Sequence, residues 1–130
     1  MKKFTKEQVI QLHKSLIENF GGIEGVRDDD LLDLSINSAF QTMFGNNIYD
    51  TPVERACQLA YSFIMNHPFI DGNKRIGTYL MLIYLKLNGY KIIANDDEII
   101  NIIMEVASSN CNKNVFKDWI YKNTERISYD

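Results

Sequence analysis

Residues 51–89 read TPVERACQLAYSFIMN HPFIDGNKR IGTYLMLIYLKLNG, and this stretch decides the fold. Thr51 is a helix cap, Pro52 suits the first turn, and Glu54 closes a capping box. Val53, Ala56, Cys57, Ala60, Phe63 and Ile64 then recur at helical spacing. That helix ends at Met65 and Asn66, because the residue before Pro68 avoids helical angles. A second helix runs from about Asn73 to Asn88 and stops at Gly89. Ile76, Leu80, Met81, Leu82, Ile83, Tyr84, Leu85 and Leu87 make it apolar nearly all round, the pattern of a central core helix. Two buried helices joined by a short polar seam, His67 to Arg75, set the plan of the molecule.

Upstream, Thr5 and Gln8 form a capping box, and Val9, Ile10, Leu12, Leu16, Ile17 and Phe20 repeat at helical spacing until Gly21-Gly22. Another helix starts near Asp28 or Asp29, with Leu31, Leu32, Leu34 and Ile36 as its apolar face. The acidic cluster Asp28 to Asp30 reads as a helix N-terminus favoured by the dipole rather than as a metal site. Ala39 to Asp50 breaks the helical pattern. There Phe40, Met43, Phe44, Ile48 and Tyr49 flank a Gly45-Asn46-Asn47 turn, which resembles a short hairpin. Downstream, Tyr90 to Ala94 is briefly extended, and helices from about Asp96 to Ser108 and Asn114 to Ile127 complete the chain. No repeat, linker or low-complexity segment interrupts it. The expected fold is all-α: a single compact helical-bundle domain over residues 1–130 with a small β-hairpin.

With 130 residues the chain is long enough for one real core. A formal net charge of −3, with charges spread along the whole length, argues against direct nucleic-acid contact. The apolar run Ile76 to Leu85 is too short to span a bilayer, and Met1-Lys2-Lys3-Phe4 leads directly into a polar helix with no cleavable signal. Cys57 and Cys111 lie far apart without metal-type spacing, as in a reduced cytoplasmic protein.

The seam carries the chemistry. Gly72 opens a turn into a helix N-terminus, where free backbone N–H groups and the dipole favour an anion. Lys74 and Arg75 bring two cations to the same point, the arginine with a fork suited to phosphate oxygens. Asp71 is a hard oxygen ligand beside the anion site, where a Mg²⁺ bridging to phosphates is well served. His67 can accept a proton near neutral pH from an incoming hydroxyl. Pro68 stiffens the loop and Phe69 anchors it. Each feature alone has an ordinary structural explanation; their convergence within nine residues points to phosphate chemistry.

HPFIDGNKR resembles the active-site motif of Fic domains, H-P-F-x-[D/E]-G-N-[G/K]-R, and its eighth-position Lys resembles the Doc (death-on-curing) toxin branch. The opening TKEQVIQLHKSLIENFGGIEGVRDDDLLDLSI and the later LNGYKI are also similar to Doc-like proteins, so nearly the whole chain is covered. The resemblance implies His67 as general base toward a Ser, Thr or Tyr hydroxyl, and Asp71 as the holder of Mg²⁺. It implies an anion hole from the N–H groups of Gly72 to Arg75, helped by Asn73 and the side chains of Lys74 and Arg75. The segment from Gly45 to Tyr49 then looks like the family's flap, which aligns target backbone by strand addition.

The same resemblance frames the reaction. Fic proteins with glycine in the eighth motif position transfer AMP from ATP, often with a further Arg three residues beyond the motif. Here those positions are Lys74 and Thr78. A lysine fills the room that glycine leaves, and in Doc-like members this accompanies a reversed nucleotide whose γ-phosphate meets the hydroxyl. The expectation is an ATP- and Mg²⁺-dependent kinase of a protein hydroxyl, a translation elongation factor being a family-level guess at the target. AMP transfer stays open, since Pro68 and Gly72 match that consensus too, and a non-catalytic binding module is the alternative of another class. No [S/T]-x-x-x-E-[G/N] inhibitory motif occurs in the chain, so the resemblance implies a separate antitoxin as inhibitor.

Overall fold

The computed structural model describes residues 3–128; Met1 and Lys2, part of the opening stretch read for a leader, and Tyr129 and Asp130 lie outside the described residues. The elements are α1 (Lys6–Phe20), α2 (Asp29–Asn37), a 3-10 turn (Ser38–Phe40), β1 (Thr42–Met43), β2 (Asn46–Asn47), α3 (Pro52–Asn66), α4 (Asn73–Leu87), β3 (Tyr90–Ile92), α5 (Asp96–Ala107), α6 (Lys113–Lys122) and β4 (Thr124–Arg126). The fold is all-α with small two-stranded β elements, as expected.

The helix starts follow their caps. Thr5 and Gln8 form the reciprocal box at α1, and Asp28 accepts from the Leu31 N–H at α2. Thr51 accepts from the Glu54 N–H at α3, with Pro52 in the first turn, although Glu54 does not return the bond. α3 and α4 form the central pair. Gly77 lets them close up: a Cβ there would sit 3.1 Å from the Ala60 carbonyl oxygen and 3.3 Å from the Phe63 Cβ. On one side of the pair, Tyr84, Leu85, Ile103, Phe116 and Ile120 form a core shared with α5 and α6. On the other, Val9, Leu16, Leu32, Ile36, Phe63, Phe69, Ile76 and Leu80 bind α1 and α2 to the seam.

Four further expectations are corrected. Leu34 is about half exposed, because α2 buries Leu32, Ser35 and Ile36 instead. α4 is buried on one broad face only, with Leu87 half exposed at its end. The hairpin turns at Phe44-Gly45, with φ of 52° and 81°, so Asn46 and Asn47 are strand residues opposite Met43 and Thr42. Positive φ at both central residues is what a two-residue turn matching strand twist demands. The last helix ends at Lys122 rather than Ile127, and Thr124–Arg126 turns back to pair antiparallel with Tyr90–Ile92.

Candidate active site

The seam is a loop whose backbone is held at nearly every residue. α3 ends at His67, which takes left-handed angles (φ 49°, ψ 57°). Such a conformation in a non-glycine residue costs on the order of 1–3 kcal/mol and persists only where the surroundings enforce it. Arg27 does the enforcing: Nε donates to the His67 carbonyl at 2.6 Å and Nη2 to the Asn66 carbonyl at 2.8 Å. A cation on the last carbonyls of a helix also complements its dipole. The N–H groups of Arg27 and Asp28 both donate to the Pro68 carbonyl, and the Ile70 N–H donates to Gly25. Phe69 is 1 % exposed, stacked between the helices. The His67 ring itself is exposed and has no hydrogen-bond partner among the described residues.

α1 forms the platform beneath the loop. His13 is buried, stacks on Phe69 (ring centroids 3.7 Å apart, 5° between planes) and places Nε2 2.8 Å from the Asp71 carbonyl oxygen. Gly72 has φ 75°, and a Cβ there would meet the Ile17 Cδ1 at 3.3 Å, so both conformation and space call for glycine. Beyond the helix end, the Ile23 N–H donates to Asp71 Oδ2 at 3.1 Å, while the Gly72 N–H donates to Asp71 Oδ1 at 2.8 Å. The carboxylate is thereby aimed, yet each oxygen keeps lone pairs for a cation. Phe20 lies under Arg75, its ring centroid 4.4 Å from the guanidinium carbon. Stacking of this kind leaves the in-plane donors of an arginine available.

The N-terminus of α4 has no side-chain cap. The N–H groups of Asn73, Lys74 and Arg75 therefore lack partners among the described residues, and only Ile76 begins the helical ladder, donating to Gly72. Helix starts of this type are ready anion sites. A cleft of about 630 Å³ opens from them, running past Lys74, Arg75 and Thr78 to an apolar wall of α5 that includes Ile99, Ile103 and Met104. His67 lies outside its lining. The Thr78 hydroxyl donates to the Lys74 carbonyl at 2.7 Å.

All six residues singled out in the sequence, His67, Asp71, Gly72, Asn73, Lys74 and Arg75, thus fall on one loop and the first turn of α4. The Asn73 side chain is committed elsewhere than expected: Oδ1 accepts from the Phe69 N–H at 2.9 Å and Nδ2 donates to the Phe69 carbonyl at 3.0 Å. It locks the loop and leaves only the Asn73 backbone N–H unpartnered among the described residues. Sequence reasoning missed His13, Ile23 and Arg27, whose contacts bridge 40 to 58 positions. A histidine on the apolar face of α1 was the one available signal. The Asp29, Asp30 and Asp33 carboxylates do converge, but they are exposed, and Lys6 pairs with Asp29 at 2.6 Å and Asp33 at 3.2 Å. Cys57 and Cys111 are free and buried, and burial pushes the Cys57 thiol up to about 12, which keeps it out of the chemistry.

An uncapped helix start, two cations, an exposed carboxylate and an exposed histidine thus lie within nine residues of one helical scaffold. The chain belongs to the Fic/DOC family, which it matches over residues 3–85. It is also 33% identical over 94 residues to the protein "Toxin Doc" of Mycolicibacterium smegmatis, a match covering 71% of this chain and 72% of that protein. No described helix is long and apolar enough to cross a membrane.

Proposed function

We propose that this chain is a Doc-like toxin that transfers the γ-phosphate of ATP to a Ser or Thr hydroxyl of a target protein in the cytoplasm. The direction of the cleft carries this reading. It is lined by the uncapped start of α4 at one end and by α5 at the other, and His67 is not among its lining residues. A nucleotide with base and ribose in that cleft reaches the loop with its terminal phosphate foremost.

In the reaction the target's hydroxyl oxygen attacks the γ-phosphorus and its proton passes to a ring nitrogen of His67. The bond from the γ-phosphorus to the bridging oxygen breaks, and ADP leaves with the electron pair. The N–H groups of Asn73 to Arg75, with the Lys74 and Arg75 side chains, stabilise the charge on the phosphate oxygens; this kind of transfer is driven by positioning and electrostatics. Asp71 fits a hard divalent cation: one exposed, pre-aimed carboxylate beside a phosphate site is the usual protein share of Mg²⁺ coordination. Bound there, Mg²⁺ supplies neutralisation of the phosphate oxygens. The hairpin β1–β2 offers target backbone an edge to pair with.

A separate antitoxin is the expected inhibitor. The similarity to a protein named as a toxin and the lack of an inhibitory [S/T]-x-x-x-E-[G/N] motif in the chain support this. A translation elongation factor is the first target to try. The test is mass spectrometry of bacterial lysate incubated with the purified chain and Mg²⁺·ATP. Phosphate on Ser or Thr is expected; adenylate on the target contradicts the kinase reading. A chain that stays inert when its target is supplied argues for a binding module.

A further inference from the structure

The Asp71–Gly72 peptide is the weak point of the anion site. Gly72 tolerates either sign of φ, so the peptide joining it to Asp71 can flip at little conformational cost. A flip turns the Asp71 carbonyl away from α1, to the side on which the Gly72 N–H now meets the Asp71 carboxylate, and sets a negative dipole end against that carboxylate. It also removes the Gly72 N–H from Asp71 Oδ1, where it now stands at 2.8 Å. Something must hold the carbonyl down. The buried His13 is placed to do it, with Nε2 2.8 Å from that oxygen.

We propose that His13 is a positioning residue whose Nε2–H latches the Asp71 carbonyl against α1, fixing the Asp71–Gly72 peptide in the orientation that keeps the Gly72 N–H on the Asp71 carboxylate and a competing carbonyl oxygen away from it. The inference rests on the reading of the loop as a phosphate site. A carbonyl can only accept, so Nε2 carries the proton. Parallel stacking on Phe69 fixes the plane of the ring, and therefore the direction of that N–H. Phe69 is in turn doubly bonded through its backbone to Asn73. The latch thus joins α1, the loop and the start of α4 in one rigid unit. Any buried aromatic could fill the space; only a donor can hold the carbonyl.

Two substitutions separate packing from latching. His13→Phe keeps a ring against Phe69 and loses the donor; His13→Gln loses the ring and keeps an amide N–H at comparable reach. Binding of Mg²⁺ with a non-hydrolysable ATP analogue is measured by calorimetry on the full-length chain, alongside the melting temperature. The latch predicts binding weakened about tenfold in His13→Phe, the scale of one lost hydrogen bond with a misplaced carbonyl, and near-normal binding in His13→Gln. Normal binding in a folded His13→Phe overturns it. Nitrogen NMR of wild-type His13 gives a test that needs no variant. Protonated Nε2 and an Asp71 carbonyl shift that marks a hydrogen bond support the latch, and a proton on Nδ1 alone refutes it. If wild type binds no nucleotide, the phosphate-site reading fails, while the NMR result still judges the latch.

Discussion

The loop at 67–75 and the hairpin at 41–50 flank the two ends of α3 and are built in opposite ways. The loop is irregular in outline but fixed throughout: Phe69 is sunk in the core, Arg27 grips the α3 carbonyls, and His13 and Ile23 hold Asp71. The hairpin is regular in outline but lightly held. Its strands are two residues long, its tip residue Phe44 is 96 % exposed, and Met43 and Ile48 also face solvent. It is tied at its stem, where Arg55 donates to the Tyr49 carbonyl and Lys113 to the Tyr49 hydroxyl. Charge stabilisation rewards donors that do not move, because preorganised dipoles need no rearrangement as charge develops. A segment that must meet another chain gains from adjustable backbone and unpaired edges.

The largest effect is expected from uprooting the loop. Phe69→Ala empties a fully buried ring site and should cost about 3–5 kcal/mol, read as a lowered denaturation midpoint; a change under about 1 kcal/mol would show that the loop is not anchored there. Next comes Arg27→Met, which removes two charge-assisted bonds to Asn66 and His67. It should lower stability by about 1–3 kcal/mol and depress transfer activity further than Mg²⁺·nucleotide binding, because His67 is released from its left-handed geometry. The smallest effect belongs to the hairpin. Phe44→Asn suits the positive φ at the turn and should leave stability unchanged or raised by no more than about 1 kcal/mol. A loss of several kcal/mol would make the hairpin a structural element and erase the contrast.

Much of this was legible in the sequence, for local reasons. The caps at Thr5 and Thr51, the stop before Pro68 and the glycine entry to α4 are short-range signals, and each lies where its chemistry puts it. That the six candidate residues share one loop and the first turn of α4 was legible because they are neighbours in the chain. What failed was of two kinds. Composition suggested the turn at Gly45-Asn46-Asn47, but backbone twist set it one residue earlier, at the cost of a phenylalanine with positive φ. Thr124–Arg126 reads as helix by itself and becomes strand only because Tyr90–Ile92 offers it an edge. The contacts that aim Asp71 and His67 come from α1 and the segment after it, and no spacing rule links residues so far apart.

In the proposed reaction His67 accepts the proton of a hydroxyl attacking the terminal phosphate of ATP. This step is tested most directly by incubating the chain with bacterial lysate, Mg²⁺ and ATP labelled at either the α- or the γ-phosphate, beside His67→Ala. Label transferred to protein from the γ position alone, and lost in His67→Ala, is the predicted result. Label arriving from the α position would contradict it and make the chain an AMP transferase despite Lys74.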